Sequence, residues 1–168
     1  MAKSSVSANQ NLKVCLRIKP LQYPTDLIEV SGDKIAKLRD PKSKNSQDEN
    51  IYTFNKVFQE FASQESVFSY CLDNAIAKAV DGNNCCILSY GPTDSGKTYT
   101  IFGEDDRYTI NPTYPNGEGK KDRRGIASRA IEYLLQACNN GGRNLTLMCN
   151  IVEIHGEQVK DLGRDAPG

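Results

Sequence analysis

What this chain of 168 residues lacks first of all is an excess of charge. Lys plus Arg count 21 and Asp plus Glu count 21, for a formal net charge of zero. The halves balance too: residues 1–84 carry 11 basic and 10 acidic side chains, leaving 10 and 11 for residues 85–168. This argues against a polybasic nucleic-acid binder and against an acidic tail. No apolar run approaches the ~18–20 residues of a membrane-crossing helix, so no membrane partner is expected. Residues 1–10 are polar and Ser-rich, without the apolar stretch of a secretory signal. Ala2 stands where N-myristoylation needs glycine. The segment reads as a flexible N-terminal tail and the chain as cytoplasmic.

Metal-ligand spacings are missing as well. The six cysteines (Cys15, Cys71, Cys85, Cys86, Cys138, Cys149) form no C-x-x-C pair, and the sole histidine, His155, is near no ligand pattern. Adjacent Cys85 and Cys86 cannot form an ordinary disulfide, so the six read as reduced thiols, mostly in apolar runs. There is no internal repeat. What is present is ordinary: 38% hydrophobic and 25% charged residues, close to the globular average and far from a disordered chain. A chain this long can bury roughly two thirds of its extended surface, enough for one domain or a piece of one.

Along the chain, residues 11–18 alternate apolar Leu12, Val14, Leu16 and Ile18 with polar neighbours, which predicts a strand ended by Pro20. Polar residues 31–50 predict hairpin and loop, and residues 51–58 a short strand. From Ser63 a helix is expected, because Val67, Phe68, Cys71, Leu72, Ala75, Ile76, Ala79 and Val80 recur at helical spacing. Asp81-Gly82-Asn83 should stop it. Residues 84–90 (NCCILSY) are apolar without alternation, as in a strand buried on both faces. A helix begins near Lys97, and residues 104–124, with Pro112, Pro115, Gly117 and Gly119, read as a long loop. A helix over 128–139 should bury Ile131, Leu134, Leu135 and Cys138 and end at Gly141-Gly142. Residues 145–155 read as a final strand.

The chemistry sits between the apolar run and the helix that follows it. Gly91-Pro92-Thr93-Asp94-Ser95-Gly96-Lys97-Thr98 fits G-x-x-x-x-G-K-[ST], the phosphate-binding P-loop. Glycines let the backbone wrap around phosphate oxygens, and successive N–H groups of such a loop bind them. Lys97 is expected to reach the β- and γ-phosphates of a bound nucleotide, and the Thr98 hydroxyl to ligate Mg²⁺. Gly91, Thr93, Ser95 and Gly96 complete the expected nucleotide-binding loop.

Residues 90–103 (YGPTDSGKTYTIFG) resemble the kinesin motor motif Y-G-Q-T-G-S-G-K-T-x-T-M-x-G. Five further stretches agree in order. Residues 14–21 (VCLRIKPL) resemble the first strand with its R-x-R-P adenine motif, and 52–58 (YTFNKVF) resemble F-x-F-D-x-V-F. Gln64 to Phe68 resembles Q-x-x-V-[FY], and 124–129 (RGIASR) resemble R-G-I-I-P-R. Residues 153–157 (EIHGE) with Asp161-Leu162 resemble E-I-Y-N-E…D-L-L.

The resemblance covers about residues 11–163. It implies that Arg17 and Pro20 flank the adenine and that Tyr99 stacks on it. It also implies an α/β fold of the P-loop NTPase type, a mixed central sheet flanked by helices, and a microtubule (tubulin) partner in the cytoskeleton.

Four positions depart from the family pattern. Lys19 replaces an arginine, losing planar stacking. Pro92 replaces a glutamine and removes one N–H early in the loop. Asp94 replaces a small neutral residue. A carboxylate ~7 Å from phosphate charge costs roughly 2 kcal/mol per unit charge at an effective dielectric of ~20, about thirtyfold in affinity, unless it turns outward. His155 stands for a tyrosine and reads as a packing or surface residue.

The S-S-R-S-H of switch I and the D-L-A-G-S-E of switch II occur nowhere in the sequence. Residues 11–168 are therefore expected to be the N-terminal half of a kinesin-like motor domain. No catalytic set is complete, and ATP should not be hydrolysed efficiently. With residues 84–90 lacking neighbours, the sheet is expected to need another chain or segment to complete it. The alternative is a non-motor, hydrolysis-deficient module in a larger assembly. An unrelated P-loop kinase or GTPase is excluded, since no N-K-x-D or substrate lid appears and the other kinesin landmarks fit.

Overall fold

The computed structural model describes residues 12–20, 26–39, 49–104, 123–140 and 146–163, the side chains of Asp73 and Asn140 apart. The expected tail 1–10, most of the loop 104–124 and the Gly141-Gly142 stop lie outside these residues. In chain order the first strands are β1 (Cys15–Arg17), β2 (Ile28–Ser31), β3 (Ile35–Arg39), β4 (Glu49–Thr53) and β5 (Lys56–Phe58). Then come α1 (Gln64–Val80), α2 (Lys97–Phe102), α3 (Ile126–Asn140), β6 (Val152–His155) and β7 (Gln158–Asp161). The chain divides into two compact units, residues 1–130 and 131–168.

In the first unit β1 runs parallel to β5, with Leu16 opposite Val57. β2, β3 and β4 form a separate antiparallel sheet. The expected hairpin is there, turning at Gly32 with φ 65°, but its strands reach over residues 28–39 because Ala36 is buried. The single strand expected over 51–58 is split. Asn55 makes the break: its N–H donates to the Val14 carbonyl at 2.9 Å, and its Oδ1 accepts from the Val14 N–H at 2.8 Å. The side chain thus replaces a backbone acceptor and hands the chain from one sheet to the other.

Helix α1 forms as its stripe predicts. The Ser63 hydroxyl accepts the Ser66 N–H at 3.1 Å and satisfies one orphan donor of the first turn. Glu65 in the first turn and Lys78 in the last suit the helix dipole. Val67, Leu72 and Ile76 are buried, as are Val57, Phe58 and Ile126. Tyr70 meets Phe58 edge to face at 5.8 Å and donates its hydroxyl to the Asn55 carbonyl at 2.9 Å, which ties α1 to β5. Burial of Leu72 alone is worth roughly 1.5–3 kcal/mol.

Residues 84–90 correct the sequence reading. They form no strand, and Leu88 and Tyr90 are 83% and 94% exposed. A strand exists only through its ladder partners, and none lies alongside among the described residues. The expected single central sheet is likewise three small sheets among those residues. The parallel and antiparallel pairings with helices still make the architecture α/β. Beyond α2 the chain returns on itself at Gly103 and Arg124.

In the second unit, residues 146–151 are irregular, and β6 and β7 form a hairpin in which Ile154 pairs with Val159. The final strand is thus shorter than expected, and the chain turns at Gly156, φ 60°. Helix α3 spans the division between the units. Its expected buried face is another correction: Ile131 and Leu135 are exposed, while Leu134 and Cys138 are half-buried. An apolar stripe signals a face that wants a partner, not that one is present.

Candidate functional site

A cleft of about 1520 Å³ opens in the first unit where the end of β1 faces the loop of residues 91–98 and α2. Of the residues expected to bind nucleotide, Arg17, Pro20, Ser95, Gly96, Lys97, Thr98 and Tyr99 line it. Gly91 and Thr93 belong to the loop but not to the lining.

The loop owes its path to Gly96, whose φ of 95° is accessible to glycine and strained for other residues. Helix α2 starts at the next residue. Pro92 lacks an N–H, yet its carbonyl is much used. It accepts the Ser95 N–H at 3.2 Å and the Lys97 ammonium at 2.8 Å. Lys97 Nζ also donates to the Gly91 carbonyl at 2.9 Å. The loop therefore closes around its own lysine, whose charge sits at the cleft wall.

Arg17 is fixed from three sides. Its guanidinium donates to Gln64 Oε1 at 2.8 Å, to Thr100 Oγ1 at 3.1 Å and to the Ala62 carbonyl at 3.4 Å. It lies 4.9 Å from the Tyr99 ring centroid, a cation–π arrangement. Burial pulls its pKa below the ordinary value and the neighbouring Tyr99 opposes this, but a guanidinium stays charged. Gln64, only 3% exposed, holds both partners, since its Nε2 donates to the Tyr99 carbonyl at 2.7 Å. Sequence reasoning noticed Gln64 as part of a motif but assigned it no role. A buried amide between an arginine and a backbone carbonyl becomes legible only once helix α1 is placed against α2.

Lys19 and Asp94 meet across the mouth of the cleft. Lys19 Nζ donates to Asp94 Oδ2 at 2.9 Å and to the Asp94 carbonyl at 2.8 Å. Asp94 adopts φ 63°, a left-handed conformation that aspartate tolerates better than most residues. The Lys19 hydrogen bond, then its charge, hold the carboxyl below its ordinary pKa. The carboxylate is bonded to Lys19 and 90% exposed, and both residues line the cleft.

The sequence profile described as the kinesin motor domain matches residues 7–166. This chain belongs to the kinesin motor domain family. It is 32% identical over 168 residues to kinesin-like protein KIN-14M of Arabidopsis thaliana, covering 90% of this chain and 20% of that protein. Kinesin-like protein KIF15-B of Xenopus laevis is 32% identical over 164 residues, 90% of this chain and 11% of the relative. Kinesin-like protein KIN-1 of Oryza sativa subsp. japonica is 30% identical over 159 residues, 90% and 31%. The chain spans about a fifth of the length of the first curated relatives it matches. Kinesin membership carries with it the P-loop NTPase α/β fold, and the glycine-bent loop and its lysine are the local form of that fold here.

Proposed function

We infer that this chain is the nucleotide-binding part of a kinesin-like microtubule motor, taking ATP or ADP with Mg²⁺ in the cleft beside residues 91–98. The observation that carries the reading is Lys97, gathered onto the carbonyls of Gly91 and Pro92 at the cleft wall. A lysine held by two carbonyls can exchange them for phosphate oxygens without moving far, so the cradle and its charge fit the group. Thr98, lining the same wall, supplies a hydroxyl for Mg²⁺. Arg17 and Pro20 bound the adenine side, and Tyr99, 40% exposed, keeps part of its ring open for stacking.

Titration with a fluorescent ATP analogue tests this. Lys97→Ala should weaken binding by about tenfold or more, since charge-assisted bonds to phosphate are worth roughly 1.5–3 kcal/mol. Equal affinity for both proteins would overturn the reading. Microtubule-stimulated hydrolysis by this chain should be undetectable, because switch I and switch II supply the water-positioning and γ-phosphate-sensing groups. A stimulated rate that disappears in Lys97→Ala would show that those segments are dispensable.

A second reading, a non-motor binding module within a larger assembly, is favoured by the exposed apolar residues 84–90. Under either reading, a further segment or chain covers them. No helix among the described residues is long and apolar enough to cross a membrane, and a place on the cytoskeleton follows from the motor reading.

A further inference from the structure

Cys15 comes from β1 and Cys71 from the middle of α1. They are 56 residues apart in the chain, yet their sulfurs stand 4.0 Å apart. Both are free, half-buried thiols, and both line the cleft. Of the other four, Cys138 alone is half-buried, and it sits on α3. Cys85 and Cys86 are adjacent and exposed, Cys149 is exposed, and the Cys85 thiol is engaged with the Ala75 carbonyl at 3.0 Å.

The two thiols are not equivalent. The Cys71 S–H donates to the Cys15 sulfur. Lys13, whose ammonium bonds the Tyr70 carbonyl at 3.2 Å, adds positive charge beside the pair. The Cys71 hydrogen bond lowers the Cys15 thiol to about 7, against its burial and with help from Lys13. The same bond pushes the Cys71 thiol up. The pair thus sets a thiol activated toward ionisation next to one that keeps its proton, the arrangement of an attacking and a resolving cysteine.

We propose that Cys15 and Cys71 form a peroxide-reactive dithiol that closes reversibly into a disulfide joining β1 to α1 along the wall of the cleft. The oxidant is a hydroperoxide. The Cys15 thiolate attacks its outer oxygen, an S–O bond forms, the O–O bond breaks, and the alkoxide leaves and takes up a proton. Cys15 is oxidised by two electrons to a sulfenic acid, and the peroxide is reduced to an alcohol or water. The Cys71 sulfur then attacks the Cys15 sulfur. The S–S bond forms, the S–O bond breaks, and hydroxide leaves with the Cys71 proton as water. A disulfide has sulfurs ~2.05 Å apart, so closure asks the pair to approach by about 2 Å. Cys15 and Arg17 lie on one face of β1, two residues apart, so closure pulls on the strand that carries the cleft arginine.

The test uses the full chain, a stoichiometric dose of hydrogen peroxide, blocking with N-ethylmaleimide and tryptic mapping without reduction. The expected product is peptide 14–17 linked to peptide 57–78, two hydrogens lighter than the pair and released by dithiothreitol. In guanidinium the linkage should scatter over the cysteines. Recovery of both peptides as maleimide adducts while other cysteines oxidise would overturn the proposal. So would the same scatter of linkages in buffer as in denaturant. Cys71→Ser should leave Cys15 trapped as a dimedone-reactive sulfenic acid, and absence of that adduct would remove Cys15 from the attacking role. The mapping of the unaltered chain needs no variant to fold.

Discussion

Lys19 and Asp94 each depart from the kinesin pattern, and the carboxylate alone would be awkward beside a phosphate. Together they form an ion pair at the mouth of the cleft. The lysine that lost the planar stacking of arginine neutralises part of the carboxylate's charge. Removing one partner should therefore have opposite effects according to which is removed. Lys19→Ala frees the carboxylate and should weaken nucleotide binding, whereas Asp94→Gly should strengthen it. The coupling in a double-mutant cycle should not exceed about fivefold, because the pair is exposed and screened by salt. Nucleotide titrations of the four proteins at low and high salt measure it, and additive effects would show that the pair is incidental. The pH dependence has a fixed sign. The Asp94 carboxyl lies below its ordinary value of 3.8 in the folded chain. The pair's contribution is whole above that ordinary value and is lost as pH falls through the lowered one, so titrations near pH 7 should be flat with respect to it.

At the scale of elements, helix α1 and residues 84–90 show what a sequence conveys and what it withholds. The stripe from Val67 to Val80 is local information, written in a 3.6-residue period, and the structure buries Val67, Leu72 and Ile76 of it and half-buries the rest. The P-loop is local as well: Gly96 and Lys97 can be read from eight consecutive residues. Residues 84–90 are different, since their apolar run records a need for neighbours on both edges, and pairing is a property of distant strands. The same holds for Ile131 and Leu135, and for Gln64, whose two hydrogen bonds join β1 to α2. The split at Asn55 also escaped, because it depends on Val14, a residue 41 positions away. The junction of α2 with α3 is the tightest of these non-local contacts. A Cβ added to Gly125 would lie 2.5 Å from the Gly103 nitrogen and from the Ile101 carbonyl. The Gly125 N–H donates to the Phe102 carbonyl at 3.1 Å. Gly125→Ala must shift backbone rather than a side-chain tip and should cost about 1–3 kcal/mol or more. Hydrogen exchange should report it as faster opening of α2 and of the first turn of α3, with β2–β4 unchanged.

For the molecule as a whole, the buried residues among those described cluster around α1 and β5, while large apolar side chains stand open at residues 84–90 and 146–155. The hairpin β6–β7 is exposed throughout, and an isolated two-stranded hairpin is marginal in water. The isolated chain should therefore unfold over a broad range, bind hydrophobic dyes and associate at micromolar concentration. A sharp, concentration-independent calorimetric transition as a monomer would contradict this. One feature works in the opposite direction. At Gly103 and Arg124 the backbone is fastened to itself, with Glu104 N–H bonded to the Arg123 carbonyl at 3.2 Å and an Arg123–Glu104 ion pair beside it. The register of α2 against α3 is therefore set by residues 103–104 and 123–125 themselves, a clasp made of backbone pairing and one ion pair.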